Sequence, residues 1–447
     1  MTTTRIVEAE PICALATPPG HSAIAVIRVS GKAVSEKIKF LCPFFPDTAD
    51  SHRLYFGHIQ SASGEQIDEV LIAYFAQNKS YTGEESIEIS CHGNPLIASR
   101  IIEELKTVGI RMARPGEFTF RAFLNGKKDL IQAESVHALI ASRSEKALKV
   151  AFEQLKGSLS KFLAEIEQEL LFVLANIEAN IDFLVENTIA ESWVGLRKRL
   201  EKAHSGVNNL IASYSEGRLL RQGFKIAIVG AVNVGKSSLL NKLLGFDRAI
   251  VTEIEGTTRD VIEGEKIVDG ILVKYFDTAG LRETFDKVEK IGMQKTLEAL
   301  GDADLLLHVV DSVGGNFKLP ETKDIPIIVA HNKADLLDQT AVRNNKFVYT
   351  SALTGEGISQ LEREIRKHIH QNVSESGPII TQARQKETLS EVSAAVARAI
   401  ELVDKQASLE FIAFEIQDAL SRIGELNGKK YDGEIMKRIF EQFCIGK

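Results

Sequence analysis

Residues 230–238 read Gly230-Ala-Val-Asn233-Val234-Gly235-Lys236-Ser237-Ser238. The spacing Gly-x-x-x-x-Gly-Lys-Ser makes a loop whose backbone N–H groups wrap phosphates, with the lysine reaching the β- and γ-phosphates. Lys236 is therefore a candidate catalytic side chain, and the Ser237 hydroxyl is an oxygen donor suited to Mg²⁺. Further segments follow in order: Gly256-Thr257-Thr258-Arg-Asp260, Asp277-Thr278-Ala279-Gly280, Asn332-Lys333-Ala-Asp335 and Ser351-Ala352. Thr258 is the candidate second hydroxyl ligand of Mg²⁺, Asp277 a ligand directly or through water, and the Gly280 N–H can meet the γ-phosphate. Asp335 can accept two hydrogen bonds from guanine, at N1–H and the 2-amino group. Adenine lacks that amino group, so ATP would leave a buried carboxylate unpaired. Ser351 and Ala352 complete the base pocket. Together these segments specify Mg·GTP as the ligand.

Two positions depart from small regulatory GTPases. Those place a water-orienting Gln directly after the Gly of the third segment; here Leu281 stands there. An apolar side chain positions no water, so another group must, and the nearby acids are Glu283, Asp286 and Glu289. Asn233 stands three residues before Lys236. Its amide oxygen can bind a monovalent cation, which would put positive charge where other GTPases insert an arginine.

These segments need strands and helices to hold them. Lys225 to Val229, Ile271 to Phe276, Asp304 to Val310, Ile325 to Ala330 and Phe347 to Thr350 are apolar runs of strand length, separated by helical stretches. Such strands predict a mostly parallel sheet covered on both faces. From Pro115 there is no proline until Pro320, and about 130–220 reads as helical. Leu163, Ile166, Leu170, Leu174 and Ile177 recur at three- and four-residue spacing, one apolar helix face. The segment 380–443 has the same character, through Leu389, Val392, Ala395, Val396, Ile400 and Val403, then Leu409 to Ile423. Residues 1–120 read as mixed α/β, with β-rich runs Ala23–Val29 and Glu69–Phe75 between Gly/Pro turns. The simplest architecture is an all-helical domain with an α/β domain inserted into it.

At 447 residues the chain exceeds a single core and predicts about three domains. A hydrophobic fraction of 44% and a charged fraction of 26% are those of a soluble protein. No run matches a membrane span or a signal peptide. The cysteines, at 13, 42, 91 and 444, are too scattered for a disulfide frame or structural zinc. A cytoplasmic location is expected. The net charge of −7 gives nucleic acid no global attraction. Any RNA contact is then local, at Arg197-Lys-Arg199, Arg218 to Lys225, or Lys429-Lys430 with Lys437-Arg438, if these are not simply solvated helix faces.

Further segments carry a resemblance. Ala14-Leu-Ala-Thr-Pro-Pro-Gly20, Ile27-Arg-Val-Ser-Gly31, Tyr81-Thr-Gly-Glu84, Cys91-His-Gly93, Arg114-Pro-Gly-Glu through Lys127, and the closing Phe443-Cys-Ile-Gly-Lys447 join the nucleotide segments. Over its whole length the chain resembles the bacterial and organellar tRNA modification GTPase family MnmE, also called TrmE. The resemblance implies a multidomain fold: an N-terminal α/β folate-binding domain (1–120), an all-α domain in two parts (121–217 and 375–447), and an inserted Ras-like P-loop GTPase domain (218–374). It implies homodimerisation through the N-terminal domain and a 5-formyl- or methylene-tetrahydrofolate one-carbon donor held by Arg28, Glu84, Lys127 and Lys447. Basic side chains suit the folate carboxylates, and the acidic one suits the pterin N–H edge. Cys444 matches a cysteine proposed as a nucleophile in the family.

The family works with a flavin-containing MnmG-type partner to place a carboxymethylaminomethyl or aminomethyl group on C5 of the wobble uridine of certain tRNAs. FAD belongs to that partner, since this chain has no dinucleotide fingerprint. For hydrolysis the resemblance implies K⁺, held by Asn233 and the backbone carbonyls of Thr252, Ile254 and Thr257. It implies Glu289 as the acid that orients the attacking water through a second water. Two positions differ from the family: Lys128 where an apolar residue is common, and Leu184 where proline is usual. The alternative is a ribosome-assembly GTPase acting as an RNA-binding switch, which predicts a basic appendage after the nucleotide segments.

Overall fold

A computed structural model describes residues 10–182, 193–231, 233–245, 264–277, 303–313, 325–337, 346–370 and 377–430, with 436, 439–441, 443 and 446 of the tail. The chain forms two compact units. The first comprises Met1–Ile140, Glu153–Leu196 and Glu401–Lys447, and the second Ala141–Phe152 and Arg197–Ile400.

In the first unit six strands form one sheet: β1 (Ile12–Leu15), β2 (Ile24–Ser30), β3 (Arg53–Gln60), β4 (Gln66–Phe75), β5 (Ser86–His92) and β6 (Arg111–Met112). Their order is β3-β4-β5-β2-β1-β6, antiparallel throughout except for the parallel β1–β6 pair. Alternation decides which side chains face the core. Ile27 and Val29 of β2, Ile87 and Ile89 of β5, and Val70 and Ile72 of β4 are buried in one cluster. The helices α1 (Val34–Leu41) and α2 (Pro95–Thr107) supply the other side of that cluster through Ile38, Leu41, Ile101 and Leu105. Proline begins α2, where its missing N–H costs nothing, and Asn94 Oδ1 caps the Leu96 N–H at 2.9 Å. The opposite sheet face alternates in the same way. At its β1 end it receives Phe118 of α3 (Glu117–Leu124), packed with Ile12, Ala14 and Tyr81.

The remaining helices of this unit include α4 (Leu130–Ala141), the end of α5 (Glu145–Leu155) and α6 (Ser158–Asp182). Along α6 the buried face is Leu159, Leu163, Ile166, Leu170, Val173 and Ile177. Val173 takes the buried position that the apolar spacing gave to Leu174, because alternating steps of four and three residues keep to one stripe. Each buried side chain contributes about 1.5–3 kcal/mol.

The second unit takes most of α7 (Trp193–Gln222), then β7 (Phe224–Val229), α8 (Lys236–Leu244), β8 (Gly264–Val268), β9 (Ile271–Asp277), β10 (Leu305–Asp311), β11 (Ile327–Asn332), β12 (Val348–Tyr349) and α9 (Ile358–His370). Its sheet runs β12-β11-β10-β7-β9-β8, parallel apart from the β8–β9 hairpin. The run predicted at Ile325 begins as a strand two residues later, after Pro326, which has no N–H for a ladder. Leu239 and Leu243 of α8 and Leu361 and Ile365 of α9 share one core cluster with Ile226, Ile228, Leu305 and Leu307. Most of α10 (Ala383–Asp404) also belongs here; its Ser393 Oγ donates to Asn208 Oδ1 of α7 at 2.8 Å. The last long helix, α11 (Leu409–Asn427), returns to the first unit and packs along α6, with Lys429 just beyond its end paired to Glu167 at 2.6 Å.

Candidate functional site

Four parallel strands, β7, β9, β10 and β11, end at one edge of the second unit's sheet, with Ile228 beside Asp277 and Asp311 beside Asn332. Ligands of open α/β sheets bind beyond such carboxyl ends. The glycine-rich loop leaves β7 there and turns directly into α8, so its N–H groups and the helix N-terminus face the same space.

Gly235 has φ 90°, and a Cβ on it would come within 2.3 Å of Asn332 Nδ2. Only glycine satisfies both the turn and that approach. Asn332 is 2% exposed. Its Nδ2 donates to Val234 O at 2.8 Å, and its Oδ1 accepts from Ala352 N–H at 3.1 Å. One side-chain amide thus joins the phosphate loop to the base loop, which explains why an asparagine begins that segment. Lys236, 7% exposed, donates from Nζ to Gly230 O at 3.1 Å and Ala231 O at 2.8 Å. Those carbonyls hold the ammonium in the loop where a phosphate chain would lie. Ser237 and Ser238 are exposed on the first turn of α8, and Asn233 is exposed with a left-handed backbone, φ 65°.

Lys333 is also left-handed, φ 61°, and its Nζ pairs with Asp311 Oδ2 at 2.6 Å. Asp335 is exposed on a short turn of 3-10 helix, Ala334–Leu336. Ser351 is buried, its Oγ accepting from Thr354 N–H at 3.1 Å. The structure therefore brings Asn233, Val234, Gly235, Lys236, Ser237, Ser238, Asn332, Lys333, Asp335, Ser351 and Ala352 to one sheet edge. Asp277 closes β9 at the same edge. Thr252, Ile254, Gly256, Thr257, Thr258, Thr278, Ala279, Gly280 and Glu289 lie outside the described residues, as does the side chain of Asp277. Asp311, which fixes Lys333, was missed; an acid closing the apolar run Leu305–Val310 was its available signal.

A second polar site lies on the β1–β2 side of the N-terminal sheet. Arg28 of β2 stands opposite Glu88 of β5 in the register. It donates to Glu88 Oε1 from Nε at 2.9 Å and Nη2 at 2.7 Å, and from Nη1 to Gly446 O at 3.3 Å. Its guanidinium lies 5.5 Å from the Tyr81 ring centroid and 5.9 Å from that of Phe118. Ser30, two residues on and so on the same face, donates to Glu84 Oε2 at 2.8 Å. Lys127 is exposed and donates to Asn78 O at 2.7 Å, beside the loop that carries Glu84. Arg28, Glu84 and Lys127 therefore meet around residues 78–84. Lys447 and Cys444 lie outside the described residues, but Gly446 between them reaches this site. A Cβ on Gly446, at φ 101°, would come 2.5 Å from Leu15 O, so the tail passes close to β1.

Sequence reasoning named these residues and missed the ones that support them. Arg111, Glu117 and Arg121 form a charge network next to Glu84, with Glu117 and Arg121 enclosed and Arg111 on its open side. Burial alone would raise the Glu117 carboxyl. Hydrogen bonds from Arg111, the Arg114 N–H and Arg121, with Arg121's charge, outweigh it and bring the pKa to about 2. Lys128, at the position where the resemblance placed an apolar residue, sets its ammonium 5.5 Å from the Tyr81 centroid. Burial raises the thiols of Cys13 and Cys91 to about 11 and of Cys42 to about 12, so none of them is a nucleophile at neutral pH. All three are free.

The family model for the GTP-binding protein TrmE N-terminus matches residues 11–127, and that for the MnmE helical domain matches residues 130–444. The tRNA modification GTPase MnmE of Bdellovibrio bacteriovorus is 41% identical over 468 aligned residues, covering 98% of each chain. The chain belongs to the MnmE family of tRNA modification GTPases. The MnmE of Aquifex aeolicus is 40% identical, with 98% of this chain and 100% of that one covered. Among solved structures, the G domain of the T. maritima FeoB iron transporter is 25% identical over 32% of this chain and 98% of its own, with a TM-score of 0.24.

As a member of the MnmE family the protein is a GTP hydrolase of tRNA modification, and its multidomain fold is that family's. GTP is its substrate, and Mg²⁺ ordinarily accompanies GTP in such enzymes. The described part of a Mg²⁺ site fits: Ser237 presents an exposed hydroxyl oxygen one residue after Lys236, the hard donor that this cation takes. Among the described residues no helix is long and apolar enough to cross a membrane.

Proposed function

We propose that the protein hydrolyses GTP in a K⁺-stimulated manner and, with a flavin-containing MnmG-type partner, adds a carboxymethylaminomethyl or aminomethyl group to C5 of the wobble uridine of certain tRNAs. The one-carbon unit comes from a tetrahydrofolate. The observation that carries this reading is the full-length match to the family together with a second polar cluster, Arg28, Glu84 and Lys127 around residues 78–84, in the same chain. A GTP-operated switch alone has no use for that cluster.

In the nucleotide site Lys236 binds the phosphates, and Ser237, Thr258 and Asp277 hold Mg²⁺, which shields the phosphate charge. Asn233 binds K⁺ with the carbonyls of Thr252, Ile254 and Thr257, and that ion supplies positive charge at the cleaved bond. The exposed side chain and left-handed backbone of Asn233 support this role, since both hold its amide open to a ligand. Glu289 orients the attacking water. Gly256, Thr257, Thr278, Ala279 and Gly280 line the phosphates, and Asp335, with Lys333, Ser351 and Ala352, reads the base.

In the N-terminal pocket Arg28, Glu84, Lys127 and Lys447 hold the folate, which supplies the one-carbon unit when bound. The residues fit it: an acid and several bases surround the exposed edge of the Tyr81 loop. Cys444 adjoins the same site in sequence. Homodimerisation is supported by the uncovered part of the sheet, where Leu54, Phe56, Leu71 and Ile24 are exposed.

The tests separate these layers. GTP turnover is expected to be faster in K⁺ than in Na⁺, and equal rates would remove the cation role. Nucleoside mass spectrometry of tRNA from cells lacking the protein should show the unmodified wobble uridine. An unchanged nucleoside profile would remove the pathway while leaving the GTPase standing.

A further inference from the structure

Arg121 of α3 is the most enclosed cation of the N-terminal pocket, with its side chain 6% exposed. Nη1 donates to Glu84 Oε1 at 3.2 Å and Oε2 at 3.1 Å. Nη2 donates to Glu117 Oε1 and to Glu10 O, each at 2.9 Å. Nη1 thus spans the Glu84 carboxylate and Nη2 is shared between Glu117 and the Glu10 carbonyl, so both terminal nitrogens are committed within the protein.

The other end of the network is equally fixed. Arg111 clamps Glu117 through Nη2 at 2.6 Å and Nη1 at 2.9 Å, and the Arg114 N–H donates to Glu117 at 2.9 Å. Glu117 therefore has no freedom to swing, and Arg121 is anchored to it from α3 and β6 together. Glu84 Oε2 receives two bonds, from Arg121 and from Ser30 Oγ, whose own orientation is set by Thr82 Oγ1 at 2.7 Å and Ser86 Oγ at 3.1 Å. The described donors give Oε1 one bond, from Arg121, and a carboxylate oxygen accepts about two. The Glu84 side chain is 16% exposed, so this oxygen has a route to the site.

We infer that Arg121 is a positioning residue: by spanning both oxygens of Glu84 it fixes the plane of that carboxylate and leaves Oε1 aimed at the N–H edge of a bound pterin. This rests on the folate reading of the pocket. Arg121 acts entirely through Glu84. A guanidinium suits the task because its planar fork holds Glu84 with one nitrogen while the other is anchored on Glu117, whereas an ammonium is a point charge. Removing the guanidinium outright would leave two enclosed carboxylates short of a partner, so the conservative change is the informative one.

The test is a double-mutant cycle on the full-length protein, titrated with 5-formyltetrahydrofolate by calorimetry. Wild type, Arg121→Lys, Glu84→Gln and the double variant are compared. Arg121→Lys is expected to weaken binding about 10- to 100-fold, the loss of a charge-assisted bond set. In the Glu84→Gln background the same change should add less than about twofold. A purely structural role predicts the opposite, a full additional loss in the double variant, and that result would overturn the proposal. So would wild-type affinity in Arg121→Lys. If Arg121→Lys fails to fold, Ser30→Ala takes its place: it removes the neutral donor to Glu84 Oε2 and leaves Arg121 alone to hold the carboxylate, so a loss under about twofold is expected and a loss of about tenfold or more would overturn the proposal. Absence of binding by the wild type overturns the folate reading itself and the proposal with it. That failure is recognised before any variant is measured.

Discussion

At residues 230–237 the chain meets an anion with its backbone. Glycines, N–H groups and a helix N-terminus do the work, and the lysine ammonium is held by main-chain carbonyls. Around Glu84 the same chain handles charge chiefly by pairing side chains: Arg28 on Glu88, Arg121 on Glu84 and Glu117, Arg111 on Glu117. A backbone site is set by local conformation and needs little beyond its own loop. A side-chain site is set by the packing of distant elements, and its charges are enclosed, so it is tied to the stability of the domain that holds it. The first should lose function when altered while the fold stands. The second should lose fold and function together.

Lys236→Ala is the most severe departure expected on the backbone side. GTP hydrolysis should fall about 10²–10³-fold, the cost of removing one preorganised charge donor, as read by phosphate release. A parallel collapse of the fold, seen by circular dichroism, would break the distinction.

Glu117→Gln makes the opposite case. The Glu117 pKa is lowered to about 2 from 4.5, so its ionised form stabilises the fold by about 3 kcal/mol at neutral pH. Because the folded value is the lower one, this contribution is complete above the unfolded pKa and is lost as pH falls toward 2. Urea denaturation should show the variant about 3 kcal/mol less stable at pH 7, with the gap closing from pH 4.5 downward. A gap independent of pH would mean that the carboxylate's charge is not what stabilises.

Asp335→Asn tests whether the exposed base-reading acid behaves as a local reader. GTP affinity should drop about 10- to 100-fold, while affinity for xanthosine triphosphate rises, since the new amide can donate to the 2-carbonyl of xanthine. Competition binding of the two nucleotides checks it, and the melting temperature should stay within experimental scatter. Lys128→Leu, the smallest change, removes the cation over Tyr81. A stability shift under about 1 kcal/mol is expected. A larger one would place Lys128 inside the charge network rather than at its margin.

The same distinction explains what was legible in the sequence. A loop built by backbone conformation must spell its glycines and lysine contiguously, so Gly230 to Ser238 could be recognised without any fold. Asn332 was legible as a member of its segment, but its bridge from Val234 O to Ala352 N–H was not, since it spans three separate loops. The Arg111–Glu117–Arg121 network was invisible: charged residues on a two-residue strand and a short helix have the signature of solvated surface, and only the closing of α3 onto the sheet brings them together. In the fold, strong apolar periods gave α6, α10 and α11, and apolar runs gave β7 and β10. β8 was missed because it lies at the sheet edge and buries little besides Gly264 and Val268, while Lys266, between them on the same face, pairs with Glu362 at 2.7 Å. An edge strand with charged side chains carries almost no periodic signal.

The contact from Arg28 to the Gly446 carbonyl spans 418 residues. During synthesis the N-terminal sheet emerges first, yet this contact waits for the tail, roughly 20–80 s later at ribosomal speeds of about 5–20 residues per second. Through that interval Arg28 has Glu88 but not its last partner. A chain cut short between residues 377 and 445 would still carry the segments from Gly230 to Ala352 and would leave Arg28 without this carbonyl. Formation of this contact is thus a record that synthesis has passed residue 446.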